Sequence, residues 1–486
     1  MKAKQIISLM LLASLLVSCG EARVTDGGDQ TSSSDTTTQA DGNDRESLDD
    51  GLPEKDYGNE SFVIATEKDY EWMVFQEEST GDVIDDAIYA RNIAVEDRFK
   101  IKIEYISDDY SALSKKIVSM VQSGDDEVDL CMTHVVESGK NALEGMYLNW
   151  YDIPYVDFSK PWWSDSTVED LSSGNVCLLA VGDFALSALA NSYCMFYNQQ
   201  LADEYKIADL YKTVKDGKWT IDYLQSITKD LYSDINANGK LDGEDRFGFI
   251  TTCRSALNAY LWAFGEKVLE KDKNDNIELV YHSAKTGEII EKLCKVFYEN
   301  DGIYINSKEA EYSFMFSLNC FVPGRAVFIN STIGDAVTTL REMEDDYGIL
   351  PYPKWDENQA DYATMVDGSH DVLCVPATVQ DIERTGIITE ALCAETYKKV
   401  VPSYYEVALK TKYTRDDESI EVLDMIVNSR VFDLGYVYDG WKGASFIFQK
   451  LISVNDPNFE SHWASNESAI KAHYDEVIEY FQNYGK

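Results

Sequence analysis

The sequence predicts an α/β protein built in two lobes, and three observations carry that expectation. The chain has 486 residues with 44% hydrophobic content, more than one core usually serves and enough for two. Its first folded stretch alternates strand and helix patterns, β-α-β-α-β, the order of a parallel sheet with covering helices. Further on, "NVCLLAVGDFALSALANSYCMFYN" sets two apolar runs on either side of Gly182-Asp183. Such a break is expected where a chain leaves one lobe for another.

The elements follow in chain order. The segment "MKAKQ" precedes an apolar stretch from Ile6 to Val17, which closes on Ser18 and Cys19. Two lysines, a short apolar run and a small residue before the cut make a secretory signal over residues 1–18, too short to span a membrane. With Cys19 just after the cut, the segment resembles the lipobox of bacterial lipoproteins. That resemblance implies a diacylglycerol on Cys19 and a protein anchored to the outer face of the cell membrane. Residues 19–58 contain "TSSSDTTTQADGNDRESLDDG" and too little apolar surface to offset their ordering entropy, so they predict a flexible tether with a reach of about 35 Å.

Phe62 to Thr66 reads as a short strand, and "GDVIDDAIYARNIAVEDRF" places Ile84, Ala87, Ile88, Val95 and Phe99 on one helical stripe. "IKIEY" alternates as a strand, Leu113, Ile117 and Val121 recur at helical spacing, and "VDLCM" is a third strand. Beyond the break, "DRFGFIT", "GRAVFIN" and "YGILPYP" are short strands among helical patterns, and "ESAIKAHYDEVIEYFQNY" is a closing helix. The net charge of −43 argues against nucleic acid as a partner, because phosphate binding needs clustered Lys and Arg. Eight cysteines follow Cys19, several in apolar runs and none in a CxxC, which predicts mostly buried free thiols.

The segments "GDVIDDAIYARNIAVEDRFKIKIEY", "VDLCMTH", "KPWW", "LLAVGDFALSAL", "CMFYNQQLADEY", "GKWTIDYL", "GRAVFINS", "MEDDYGILPYPK" and "VLCVPAT" stand in this order from about residue 52 to the C-terminus. Together they resemble the family 1 extracellular solute-binding proteins that serve ABC importers. The resemblance implies a periplasmic-binding-protein-like (type II) fold, with residues 59–182 and about 366–410 as lobe 1 and 183–365 and about 411–486 as lobe 2. It implies hinge strands, a ligand cleft that closes on its solute, and no catalysis. A carbohydrate solute, an ABC transporter permease and a monomeric state follow from it as expectations.

By that family's pattern, ligand contacts come from loops at the cleft edge. In this sequence those places hold Trp72 after the first strand, Thr133 and His134 after "DLCM", and Asp183 and Tyr193 at the crossover. Asn330 and Ser331 follow "GRAVFI", Asp367 and Ser369 lie in the return hinge, and Trp441 in "YDGWKG" is a late aromatic platform. The return hinge of similar sequences is apolar or aromatic, whereas this one reads "VDGSHD", which implies a more polar or differently shaped ligand. Trp162 and Trp163 read as structural, and His134 and His370 as hydrogen-bonding residues.

One further motif stands apart. "DINANGKLDGED" offers oxygens at loop positions 1, 3, 5, 9 and 12 from Asp234, Asn236, Asn238, Asp242 and Asp245, with Gly239 at the sharp turn and the Lys240 carbonyl at position 7. That is the oxygen-rich pattern of a calcium loop, expected as a structural Ca²⁺ brace; the alternative is a solvated Asx-Gly turn. Two other functions compete with solute capture. An exported glycan-active enzyme is one, although the sequence has neither HExxH nor GxSxG, and a calcium-braced adhesion or sensor lipoprotein is the other.

Overall fold

The computed structural model describes residues 45–165, 169–341, 343–410, 417–441 and 443–485. The expected signal over 1–18, Cys19 and the tether to residue 44 lie outside the described residues. The last part of that tether, residues 46–58, is packed instead of free. Asp50 is buried in an ion pair with Arg98 at 2.5 Å, Tyr57 N donates to the Phe99 carbonyl at 2.9 Å, and Leu48 and Leu52 lie on apolar core.

Two sheets organise the body. Their strands in chain order are β1 (Glu60–Glu67), β2 (Ile101–Asp108), β3 (Leu130–His134), β4 (Tyr193–Asn198), β5 (Phe247–Thr252), β6 (Ile303–Asn306), β7 (Ala326–Thr332), β8 (Tyr347–Leu350) and β9 (Asp371–Cys374). The first sheet runs β9-β3-β1-β2, with β1 parallel to β2 and β3 and with β9 antiparallel to β3. The second runs β6-β5-β7-β4-β8, with β4 antiparallel to both its neighbours. The α/β class expected from the sequence is therefore present in both lobes.

Helix α1 (Val83–Phe99) forms because Ile84, Ile88, Val95 and Phe99 fall on one buried stripe. Asp82 caps its start by accepting from the Ile84 and Asp85 amides. Helix α2 (Tyr110–Ser123) buries Leu113 and Ile117, and α3 (Val135–Leu143) follows β3 directly. Helix α4 (Ile382–Glu395) packs on α1. Its Glu390 accepts hydrogen bonds from both indoles of the "KPWW" segment, Trp162 at 2.7 Å and Trp163 at 2.8 Å. Burial pushes the Glu390 carboxyl up to about 7 against the pull of those bonds. Both tryptophans are thus core residues, as expected, and the eight cysteines are buried and unbridged.

Gly182 and Asp183 still belong to the packing of this first lobe. The Asp183 amide donates to the Trp162 carbonyl at 2.9 Å, and a Cβ on Gly182 would meet Cys393 Sγ at 2.7 Å and the Trp163 ring at 2.9 Å. The chain reaches the second sheet through the short helix Ser187–Ala190 and β4. It returns through Val366 to β9, and the two passages lie side by side: Ser192 bridges Val366, and Asp367 N donates to the Asn191 carbonyl at 2.9 Å. Two adjacent connecting strands between two sheeted lobes make a hinge.

Candidate functional site

The hinge brings together the ends of β1 and β3, the start of β4 and the return segment before β9. This is the carboxyl edge of parallel strands, where α/β folds place their ligands. Asp367 is its hub: its Oδ1 accepts from the Ser369 amide at 2.9 Å and the Ser369 hydroxyl at 2.7 Å, and its Oδ2 accepts from Tyr193 Oη at 3.2 Å. Asn191 Nδ2 donates to Tyr70 Oη at 2.7 Å and Ser369 Oγ at 3.3 Å. One network therefore spans both connecting strands and the loop after β1.

Beneath it lie two acids with no cation between them. Asp371 is fully buried and Glu67 nearly so. Burial raises both carboxyls above the usual range, and Asp371 is raised further by the negative charge and hydrogen bond of Glu67. The bond from Asp371 opposes the rise at Glu67, the pattern of a protonated Asp371 donating to Glu67. Asp371 Oδ2 also accepts from Ser187 Oγ at 3.2 Å. Glu67 Oε1 and Asp371 Oδ1 are buried with no partner outside the pair, as facing oxygens that share a proton would be.

A row of rings stands beside this floor. His134 packs between Tyr110, at 4.9 Å between centroids, and Trp441, at 5.6 Å. Its Nδ1 accepts from the Val136 amide at 3.3 Å, capping α3, and burial lowers its imidazole to about 4, so it is neutral. Trp441 is 48% exposed, stacks on Phe446 and donates through Nε1 to Glu137 of the first lobe at 2.8 Å. A second contact between lobes pairs Arg341 with Asp82 at 2.9 Å. Tyr312, under the Arg254 guanidinium at 4.0 Å, has its hydroxyl pushed up to about 12 by burial and by the Asp367 charge.

Of the residues expected from the sequence, Tyr193, Asp367, Ser369, His134 and Trp441 are drawn to this place. Trp72 is half-buried in the short helix after β1, close to Tyr70 in sequence. The others turn away. Thr133 Oγ1 bonds Ser138 Oγ at 2.7 Å under the sheet, Ser331 bonds Asp335, and Asn330 Nδ2 donates to the Ala256 carbonyl at 3.2 Å. Asp183 lines a small crevice with Arg430. Sequence reasoning passed over Glu67, Tyr70, Asn191, Tyr312 and Asp371. The signal for Tyr70 was its place in the same loop as Trp72; for Glu67 it was an acid closing an apolar strand.

A cavity of about 320 Å³ lies elsewhere, between Asp170, the hairpin 269–279 and Asp433. Lys267 is paired there with Asp170 at 2.9 Å, and the hairpin is held to the first lobe by a bond from the Gly174 amide to Asp275. That cavity is an acidic seam between lobes, lined by six acids and by Lys267 and Lys271, which pair with Asp170 and Asp275. No helix among the described residues is long and apolar enough to cross a membrane.

No protein-family model matches the chain, and no curated protein matches it. Solved structures do. UgpB from Mycobacterium tuberculosis in complex with glycerophosphocholine is 14% identical, with 87% of this chain and 99% of that chain covered and a TM-score of 0.56. The GacH receptor of Streptomyces glaucescens, solved unliganded and with acarbose, gives 12% identity, 87% and 99% coverage and a TM-score of 0.53. A family 1 extracellular solute-binding protein from Bifidobacterium longum subsp. infantis gives 11%, 86% and 99%, with a TM-score of 0.51. The fold is therefore α/β of the periplasmic-binding-protein type II, and these neighbours belong to the group that the order of sequence motifs resembles.

Proposed function

We propose that this chain is an extracellular solute-binding protein that captures a hydroxyl-rich solute, a carbohydrate, at the hinge and delivers it to an ABC importer without catalysis. The observation that carries the reading is the hinge network itself: Tyr70, Asn191, Tyr193, Asp367 and Ser369 join both connecting strands. A solute bonded there touches both lobes and so favours their closure. Hydroxyls suit the network because each donates and accepts, and Asp367, Asn191, Ser369 and the two tyrosines offer both roles. The exposed faces of Trp441 and Tyr110 suit the C–H face of a sugar ring. GacH, with its acarbose complex, supports the carbohydrate class by likeness of fold.

The same acids weigh against a glycosidase. Glu67 and Asp371 are in direct hydrogen bond, whereas catalytic carboxylates stand about 5–9 Å apart to flank the bond they break. On this reading Cys19 carries the lipid, the tether holds a monomeric receptor near the permease, and Glu67 and Asp371 only bind. Thermal melts against monosaccharides, oligosaccharides, polyols and peptides test the substrate class. A ligand at 100 times its dissociation constant adds about 2.7 kcal/mol, so a rise with one sugar class is expected; a response to peptides alone rejects the carbohydrate reading. Mass spectrometry of the protein from membranes tests the anchor, which Cys19→Ala abolishes.

A further inference from the structure

We infer that the loop from Asp234 to Asp245 is a single Ca²⁺ site that braces the entry to β5, independent of the solute reading. Two buried oxygens carry the inference. Asp245 is fully buried, and its Oδ1 has no hydrogen-bond partner; Asp234 Oδ1 is likewise shielded from solvent and unpartnered. These are loop positions 1 and 12, the two ends that must close on an ion. Leaving two carboxylate oxygens buried and unmet is costly. The neighbouring Arg246 reaches away to Glu204, at 3.9 Å.

The rest of the loop is held in a turn by its own hydrogen bonds. Asp234 Oδ2 accepts from the Gly239 amide at 3.0 Å, and Gly239 holds φ +70° with nothing near the place of a Cβ. That is the sharp turn the sixth position requires. Asn236 Oδ1 accepts from the Asn238 amide at 2.9 Å and Asn238 Oδ1 from the Lys240 amide at 2.6 Å. Each amide oxygen keeps a second lone pair for a ligand. Among the described residues no three Asp, Glu, His or Cys side chains are gathered as a metal set. The shell therefore depends on the Asn236 and Asn238 amides and the Lys240 carbonyl, and Asp242 must exchange its bond from Asn238 Nδ2, now 3.1 Å, for the ion. Oxygen ligands of mixed charge on a flexible loop suit Ca²⁺, whereas Mg²⁺ demands a rigid octahedron.

The loop has something to hold. Tyr232 Oη donates to Asp245 Oδ2 at 3.2 Å, and Ser233 and Arg246 bridge across its base. Cys320 Sγ donates to the Gly243 carbonyl at 3.3 Å, so the helix Phe316–Phe321 leans on the same loop. Calcium would fix the register in which β5 enters its sheet. Arg254 lies beyond the other end of β5, a strand length of about 20 Å away, so the ion cannot touch a solute at the hinge.

Calorimetric titration of Ca²⁺ into chelator-treated protein in about 0.1 M salt, where diffuse attraction to an acidic surface is screened, tests the inference. One equivalent is expected to bind, with a dissociation constant of about 10⁻⁴ M or tighter, and Mg²⁺ is expected to bind at least tenfold more weakly. Asp245→Asn combined with Asp234→Ala should weaken Ca²⁺ at least tenfold. The exposed Asn238→Ala, which leaves the buried acids in place, should weaken it severalfold with an unchanged circular dichroism spectrum. Absence of saturable uptake by the native protein at millimolar Ca²⁺, or undiminished uptake in Asn238→Ala and the double variant, overturns it.

Discussion

At the hinge floor Glu67 and Asp371 lie below the surface and face each other, with no cation between them. In the 234–245 loop Asp234 and Asp242 are half-exposed at the rim, Asp245 is buried below, and asparagine amides stand between them. Both places gather acids, yet their chemistry differs because two acids face each other at the hinge and the loop keeps its acids apart. Removing water from a carboxyl pair favours a proton on one member, which leaves a single negative charge and a donor facing an acceptor. Spreading carboxylates and amides along a turn suits oxygens to an ion. An acid count of 86 says nothing of this; position does.

The largest expected effect breaks the comparison if it is absent. Asp371→Ala strips Glu67 and Ser187 of their partner in a buried place, so chemical denaturation should show a loss of about 3 kcal/mol. Asp245→Asn in chelator keeps an acceptor for Tyr232 and should cost less than about 1 kcal/mol. Equal losses at the two places would mean that the contact between Glu67 and Asp371 adds nothing to what one buried acid contributes.

The second effect is a pH dependence with a definite sign. Glu67 and Glu390 are raised from 4.5 to about 7, both chiefly by burial, and Asp371 is raised as well. Between pH 4.5 and 7 the folded chain then binds more protons than the unfolded one, so stability falls as pH rises through this window and levels off above the folded values. Groups facing Glu67 push the same way: Asp69 and Glu137 raise it by charge, while the His134 amide opposes them. Asp50 and Asp82 are lowered and act below the window. Denaturation midpoints from pH 4.5 to 8 should fall by the equivalent of about 2 kcal/mol. Asp371→Asn should flatten part of the fall and Glu390→Gln another part; a midpoint that rises across the window rejects the shared proton.

How far the sequence foretold these places follows from the same physics. The strands and helices from Glu60 to His134 were legible because each has one buried face, and alternation or a helical stripe records it. Tyr193, Asp367 and Ser369 were legible because they stand at strand ends near the hinge. Thr133 and Asn330 are engaged by Ser138 and the Ala256 carbonyl, because a strand turns successive side chains to opposite faces and strand phase alone does not say which face is covered. Glu67 and Asp371 were illegible because an acid in sequence reads as surface, and only the packing of β1, β3 and β9 shows that these two are covered. Residues 46–58 looked like tether by composition, and the bonds that hold them, Asp50 to Arg98 and Tyr57 to Phe99, reach partners distant in sequence.

A smaller effect sharpens the hinge side alone. Asp367→Asn keeps an acceptor for Ser369 and Tyr193 but removes the charge that the solute would meet. Affinity for the sugar found in the melts should fall about tenfold, near 1.4 kcal/mol, while Ca²⁺ uptake stays unchanged. Loss of both together would tie the two places into one site.

The smallest effect is the one that joins the comparison across the second lobe. If calcium braces the entry of β5 and the solute binds beyond its far end, the two ligands share a rigid strand but no contact. Allosteric coupling requires that one ligand favour different states of the element the other touches. β5 is a central strand paired on both sides, to β6 and β7, and offers no second arrangement for calcium to select. Solute affinity in 1 mM Ca²⁺ and in chelator should therefore agree within about twofold, or 0.4 kcal/mol. The melting temperature, in contrast, should rise with calcium by linkage, about 1.4 kcal/mol at ten times the dissociation constant. A tenfold change in solute affinity on chelation would show that β5 transmits the state of the loop to the hinge, and the acids of the two places would then have to be read as one device.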